Sequence, residues 1–231
     1  MTGNHSELTL LQEQAKTRYQ IEAAITRMFA AEDEGLRSAL AAAKEAGLPH
    51  IQISPVQGKF LQLLAAMCNA QKILEIGALA GYSGIWLARA LPLGGRLITL
   101  EVNPDHARVV QNSFARAGVG DRTEVRVGKA LDLLPQLEHE APFDLVFIDA
   151  DKPPYPQYLD WALRLTRPGS IIVADNCIRS GKGFQPPEDE GNAGIVEFNS
   201  RIASDPRLVS LVLAMDDDFT DGFAIAVVKH A

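Results

Sequence analysis

Chemistry-bearing side chains in this sequence gather where apolar runs stop. In VFIDADKPPYPQY, residues 146–158, Val146, Phe147 and Ile148 lead straight into Asp149, Asp151 and Lys152 before three prolines break the pattern. A second apolar run, SIIVADN (170–176), ends on Asp175 and Asn176. Two carboxylates and an amide oxygen make an all-oxygen donor set. Such a set suits a hard divalent ion that keeps waters or takes substrate oxygens to complete its octahedron. Neither stretch contains histidine, which disfavours zinc. The competing reading is local: Asp149 caps the next helix, Asp175-Asn176 forms an Asx turn, and Lys152 pairs with Asp151.

A third constellation lies upstream. LEIGALAGYSGIWLA joins an apolar run to a helical one through Gly77, Gly81 and Gly84, where missing Cβ atoms let a ligand come close to the backbone. Leu79 occupies the place of the second glycine of a GxGxxG fingerprint, no GK[ST] follows, and Ile85 spoils a GxSxG elbow around Ser83. About twenty residues beyond Gly81, Glu101 ends RLITLE, where a carboxylate accepts hydrogen bonds from both hydroxyls of an unphosphorylated ribose. A nucleoside-containing cofactor follows. Glu75 sits inside an apolar run and needs a cation or hydrogen-bond donors around it, either as a buried structural pair or as part of the site.

The elements that must position these residues are well marked. KILEIG (72–77), RLITLE (96–101), TEVRVG (123–128), FDLVFID (143–149) and SIIVAD (170–175) are short β-rich runs separated by helical stretches, the pattern of parallel βαβ units covered on both faces. Ser54-Pro55 opens a helix through Met67, and Asn103-Pro104 opens one that stops at Ala117-Gly118. Arg167-Pro168-Gly169 reads as a turn before the fifth strand. LVSLVLAM (208–215) and DGFAIAVVKH (221–230), joined by DDDFT, must pair antiparallel. The expected fold is therefore α/β: a Rossmann-like doubly wound seven-stranded sheet with a reversed last strand, plus N-terminal helices. Residues 6–46 read as helix, with Leu8, Leu11, Ala15, Ile21, Ile25 and Phe29 at helical spacing, ending at Gly47-Leu-Pro49. Residues 1–48 are assigned to a helical extension and 49–231 to the main domain. GKGFQPPEDEGNAG (181–194) reads as a surface loop.

With 231 residues, 47% hydrophobic and 22% charged, the chain fits one large domain with an extension. A net charge of −7 and no Lys/Arg run oppose binding to nucleic acid or an anionic membrane, so small molecules are the expected ligands. No stretch of about 18 apolar residues suggests a membrane span. Cys68 and Cys177 form no CxxC pair, and a reducing, cytoplasmic location is expected.

Ser54-Pro55-Val56-Gln57-Gly58, ILEIGALAGYSGIWLARALP, TLE at 99–101, GKAL at 128–131, FDLVFIDADK, ADN at 174–176 and DGFAIAVV together resemble the cation-dependent O-methyltransferases, the caffeoyl-CoA and catechol O-methyltransferase family, over roughly residues 50–230. The resemblance implies S-adenosylmethionine (SAM) as cofactor and a divalent cation, Mg²⁺ first, with Ca²⁺ or Mn²⁺ as substitutes. It places Glu75, Gly77, Ala78, Tyr82 and Ser83 at the methionine end of SAM, Glu101 at the ribose, Ala130 at the adenine edge and Ile53 in the same pocket. Asp149, Asp175 and Asn176 correspond to metal ligands, with Asp149 also at the cofactor and in the catalytic machinery, and Lys152 to the lysine beside the reacting hydroxyl. It also implies a homodimer and a phenolic small-molecule acceptor. Where plant members carry an aromatic residue and an asparagine after the DN motif, this chain has Cys177-Ile178-Arg179-Ser180, and DKDNY becomes DKPPY, so the acceptor pocket is not inherited.

Such chemistry is feasible in magnitude. Ionising a phenol at neutral pH means removing roughly 3 pKa units, about 4 kcal/mol. One unit charge at about 4 Å in an effective dielectric of about 20 supplies about that much. Vicinal hydroxyls chelate one octahedral ion and leave one oxygen aimed at the methyl group, while Lys152 takes the proton or adds positive charge. The rival readings are a nicotinamide-type Rossmann oxidoreductase, which the missing GxGxxG opposes, and a non-catalytic SAM-binding protein, which has no use for the metal set.

Overall fold

The computed structural model describes residues 3–215 and 220–230. The side chains of Leu8 and Leu11, and most of the DDDFT turn, lie outside the described residues.

The seven-stranded sheet has the order β3-β2-β1-β4-β5-β7-β6. Its strands are β1 (Lys72–Ile76), β2 (Arg96–Glu101), β3 (Thr123–Val127), β4 (Phe143–Ile148), β5 (Thr166–Ala174), β6 (Leu208–Ala214) and β7 (Gly222–Val228). β1 to β5 pair in parallel, and β7 runs antiparallel between β5 and β6, with Ile172 opposite Ala226 and Leu211 opposite Ile225. The last strand is therefore reversed, as the short connection from β6 requires. β4 is buried at every position, because helices lie on both faces, and its one charged residue, Asp144, is satisfied by Arg167 and the amides of Gln71 and Lys72. After β3 the chain crosses back to β4, which pairs with β1 on the side away from β2. This reversal opens a crevice beyond the carboxyl ends of β1 and β4.

The helices are α1 (Gly3–Phe29), α2 (Glu34–Glu45), α3 (Pro55–Met67), α4 (Tyr82–Ala88), α5 (Pro104–Arg116), α6 (Ala130–Leu133), α7 (Tyr155–Leu165) and α8 (Glu190–Ser204). The Ser54 capping box forms as expected: the Ser54 hydroxyl accepts from the Gln57 amide at 3.2 Å, and the Gln57 side chain accepts from the Ser54 amide at 2.7 Å.

Four sequence expectations are corrected. The single helix over 6–46 is two, because Asp33 leaves the helical path, accepts from the Leu36 amide to cap α2, and pairs with Arg89 at 2.6 Å. Leu36 and Ala39 of α2 are buried in the same core as the sheet, whereas Ile21, Ile25 and Phe29 of α1 are exposed. The β3–β4 connection holds only the short α6 and a 3-10 turn, Leu134–Glu140, since Pro135 cannot extend the α-helix. Arg167-Pro168-Gly169 lies inside β5, where the pairing with β4 shifts register between Phe143 and Leu145. Finally, the 181–194 stretch contains a 3-10 turn at Lys182–Phe184 and the start of α8, capped by Asp189 through the Asn192 amide.

α3 packs on α4 where Gly58 faces Trp86. A Cβ at Gly58 would stand 2.2 Å from Trp86 Cδ1. Helix propensity alone would make Gly58→Ala stabilising by about 1 kcal/mol. Overpacking reverses that sign, so urea denaturation of Gly58→Ala is expected to show a loss of about 1–3 kcal/mol.

Candidate active site

A cavity of about 1240 Å³ opens at the carboxyl ends of β1, β2 and β4. Of the residues expected to form a site, Ile53, Gly77, Ala78, Tyr82, Ser83, Glu101, Ala130, Asp149, Lys152 and Asn176 line it. Glu75 and Asp175 lie beneath its wall, fully and almost fully buried.

The loop after β1 has left-handed backbone at Gly77 (φ 94°), Leu79 (φ 50°) and Gly81 (φ 84°). Gly77 is sterically required there, because a Cβ would sit 2.0 Å from the Asp149 carbonyl oxygen. Glu101 Oε2 accepts from the amides of Ala78 (3.3 Å) and Leu79 (3.0 Å), and its Oε1 accepts from the Asn103 amide at 2.9 Å. His106 Nδ1 stands 3.7 Å from the same carboxylate. One buried side chain thus ties the glycine loop to the end of β2. Tyr82 donates to Glu32 Oε1 at 2.6 Å, so the α1–α2 junction closes on the first turn of α4, and burial pushes the phenol pKa up.

Glu75 has no lysine partner among the described residues. Its Oε1 accepts from the Ser83 hydroxyl at 2.6 Å, while buried Oε2 has no hydrogen bond. Burial lifts its carboxyl to about 7, against the hydroxyls of Ser83 and Thr99 and with the charges of Asp149 and Glu101 adding to the rise.

Beyond β4, Lys152 Nζ lies 3.1 Å from Asp149 Oδ1 and donates to the Tyr155 hydroxyl at 2.9 Å. The Lys152–Asp151 pair considered from sequence does not form, because Asp151 Oδ1 accepts from Tyr158 at 2.6 Å. Nor does Asp149 cap a helix: α7 begins at Tyr155 behind Pro154, with no side-chain cap. Tyr155 is wholly buried, and its hydroxyl bridges to the backbone oxygens of Asp175 (3.0 Å) and Ile148 (3.3 Å). Burial, with the Asp149 charge next, holds its pKa well above the ordinary value, so it stays a neutral phenol.

Asp175 Oδ1 accepts only from the Asn176 amide, at 2.6 Å, which is not the geometry of an Asx turn. Burial, then the Asp149 charge, raises its carboxyl, and the Lys152 ammonium opposes the rise. Asn176 takes up left-handed backbone (φ 57°), and its Nδ2 donates to Asp221 Oδ2 at 3.1 Å. Asp221 Oδ1 is held by the amides of Ile178, Arg179 and Gly222. An amide nitrogen turned to a carboxylate leaves the Asn176 oxygen as the group available to a cation. Two carboxylates crowded together with an amide oxygen fit a hard divalent ion, which would relieve their repulsion.

Sequence reasoning missed Tyr155 and Asp221. Tyr155 falls one helical turn after Lys152 in DKPPY, a legible spacing. Asp221 opens DGFAIAVV, but nothing in one dimension sets it against Asn176.

A doubly wound sheet with a glycine loop after β1, an acid ending β2 and charged ends on β4 and β5 defines a nucleoside-cofactor enzyme of the Rossmann-like class. Residues 28–225 match the O-methyltransferase family, and the chain belongs to it. It is 51% identical over 209 residues to a catechol O-methyltransferase of Niastella koreensis, covering 89% of this chain and 95% of that one. With a catechol O-methyltransferase of Mycobacterium tuberculosis it shares 44% identity over 211 residues, 90% of this chain and 95% of the other. The crystal structure of a Bacillus cereus O-methyltransferase in complex with SAH superposes with a TM-score of 0.88 at 43% identity, covering 93% of this chain and all of that one.

Two tests follow from the geometry. Tyr155→Phe removes the hydroxyl that holds Lys152, and steady-state kinetics should show kcat reduced about tenfold, roughly 1.4 kcal/mol; an unchanged kcat would assign Tyr155 to packing alone. For Glu75, the folded carboxyl titrates at about 7 against an ordinary 4.5. Between those pH values the folded state keeps a proton that the unfolded chain has released, so stability falls as pH rises. Denaturation of ligand-free Glu75→Gln should show a gain of about 1–3 kcal/mol over wild type at pH 8 and none near pH 4.

Proposed function

We propose that this enzyme transfers a methyl group from SAM to one hydroxyl of a vicinal-diol phenol, with a divalent cation, Mg²⁺ first, held by Asp149, Asp175 and Asn176. The observation that carries the proposal is the meeting, at one cavity, of the Gly77–Gly81 loop and Glu101 with Asp149, Asn176 and Lys152, over the buried carboxyl of Asp175. The names of the catechol O-methyltransferase relatives and the SAH of the B. cereus neighbour support the same reading. When bound, the cofactor supplies the activated methyl group and the cation lowers the acidity barrier of the acceptor hydroxyl.

The chain's own residues do the rest. Glu101 holds the ribose while fastening the glycine loop. Gly77, Ala78, Tyr82 and Ser83 shape the methionine end over Glu75, with Ile53 and Ala130 completing the apolar walls. Lys152, fixed at two points by Asp149 and Tyr155, meets the acceptor oxygen, where it takes the proton or balances the oxyanion. The protein is read as cytoplasmic, in keeping with free thiols at Cys68 and Cys177. It is read as a homodimer whose second copy covers the exposed apolar residues of α1, among them Ile25, Met28 and Phe29.

Methyl transfer from SAM to a panel of catechols, caffeate esters and flavonoids, run with Mg²⁺ and with EDTA, tests the reading. Chelator-sensitive methylation of a vicinal diol is expected, and methylation indifferent to EDTA would sink the cation. In parallel, Asp175→Ala should keep SAM affinity by calorimetry while losing activity; retention of more than about a tenth of the wild-type rate, a barrier change under about 1.4 kcal/mol, would make Asp175 structural.

A further inference from the structure

Arg179 follows the site amide Asn176 by three residues. It lines the cavity. Its backbone is left-handed (φ 51°), as is that of Ser180 (φ 54°), a conformation that costs a non-glycine residue about 1 kcal/mol or more and persists where surroundings enforce it. The enforcement is visible. The Arg179 amide is held by Asp221 Oδ1 at 3.3 Å, the same carboxylate that orients Asn176. Its Nε donates to Oδ1 of the buried Asn192, whose side-chain Nδ2 donates to Asp189 Oδ2 and whose backbone amide donates to Asp189 Oδ1.

This arrangement spends the inner edge of the guanidinium on a neutral amide, with no ion pair to Arg179 among the described residues. Nη1 and Nη2 have no hydrogen-bond or ion-pair partner among the described residues. Two other cations on the cavity wall are paired, Lys152 with Asp149 and Lys182 with Glu188 at 2.8 Å; Lys129, beside Ala130, has no ion pair among the described residues but lacks the planar fork of a guanidinium. A guanidinium held by its Nε presents two parallel N–H groups, the fork that matches a carboxylate in both geometry and charge. The negative residues Asp149 and Asp175 lie at the hydroxyl-binding end, so an acceptor bearing a carboxylate gains only if that group points away from them, toward Arg179.

We propose that Arg179 is a specificity-determining residue that selects vicinal-diol phenols carrying a carboxylate, which it binds through Nη1 and Nη2. The proposal rests on the reading of the cavity as a diol methyl-transfer site. Asn192 acts as a positioning residue through Arg179.

The test compares 3,4-dihydroxybenzoate with its uncharged methyl ester, in the Mg²⁺-loaded enzyme with SAM. Wild type is expected to show kcat/KM for the acid about tenfold or more above that for the ester. Arg179→Gln should lower kcat/KM for the acid about tenfold, mainly through KM, and leave the ester within about twofold. Equal losses on both acceptors, or a wild type indifferent to the carboxylate, would overturn the assignment and leave Arg179 a loop-ordering residue. Calorimetric binding of the acid and the ester in the presence of SAH gives a readout free of turnover. If neither diol is methylated, the proposed function fails, yet weaker binding of the acid alone in Arg179→Gln still supports the carboxylate site, and equal binding still overturns it. Should Arg179→Gln fail to fold, Arg179→Lys keeps the charge and loses the fork. A loss confined to the acid then supports the proposal, and an equal change on both acceptors rejects it.

Discussion

The close approach of two loops at the switch point of the sheet is the constraint on which the site depends. Where β1 and β4 end side by side, the backbone at Gly77 passes so near the Asp149 carbonyl that no side chain fits between them. That contact sets the glycine loop, which shapes one end of the cavity, at a fixed distance from Asp149 and Lys152, which shape the other. Methyl transfer is an in-line displacement, and its rate depends on donor and acceptor being held within a near-attack distance. A protein that couples both binding loops through one backbone contact has little freedom to separate them.

Electrostatics at the site are arranged at a cost to the fold. Glu75 is buried with one oxygen unpaired, and Asp175 is buried beside the charge of Asp149. Left to folding alone, each would be better replaced by an apolar residue of similar shape. Their presence is understandable if ligands complete them: a cation for the Asp149 and Asp175 pair, and the cofactor above the Ser83 and Glu75 pair. Neutral groups share the holding with the carboxylates of Asp149 and Asp221. Tyr155, kept as a phenol by burial, links Lys152 to the backbone at the ends of β4 and β5 without adding a charge. Asn192 does the same for Arg179.

The sheet was legible from the chain alone because the strands are short β-rich runs, most of them largely apolar, bounded by turn or cap residues, and period and boundary are local properties. Ser54-Pro55 and Asn103-Pro104 announced their helices for the same reason. Errors fell where tertiary packing overrides local preference. The long N-terminal periodicity hid the break at Asp33, whose cap is reinforced by Arg89 from a distant helix. The Pro168-Gly169 pair was absorbed into β5 as an irregularity of its pairing with β4.

Residue types and their places at strand ends showed, without coordinates, that Asp149, Asp175 and Asn176 could converge and that Glu101 would stand beside the glycine loop. Strand order does that work: all parallel strands deliver their carboxyl ends to one edge, so motifs far apart in the chain share a crevice. Which partner each side chain takes was decided only in three dimensions. Lys152 turned to Asp149 and Tyr155 while Asp151 turned to Tyr158, and Asp221 and Asn192 arrived from β7 and α8 to orient Asn176 and Arg179. Hydrogen bonds act over about 3 Å and carry no record in sequence separation, so the choice between neighbours belongs to the packed structure.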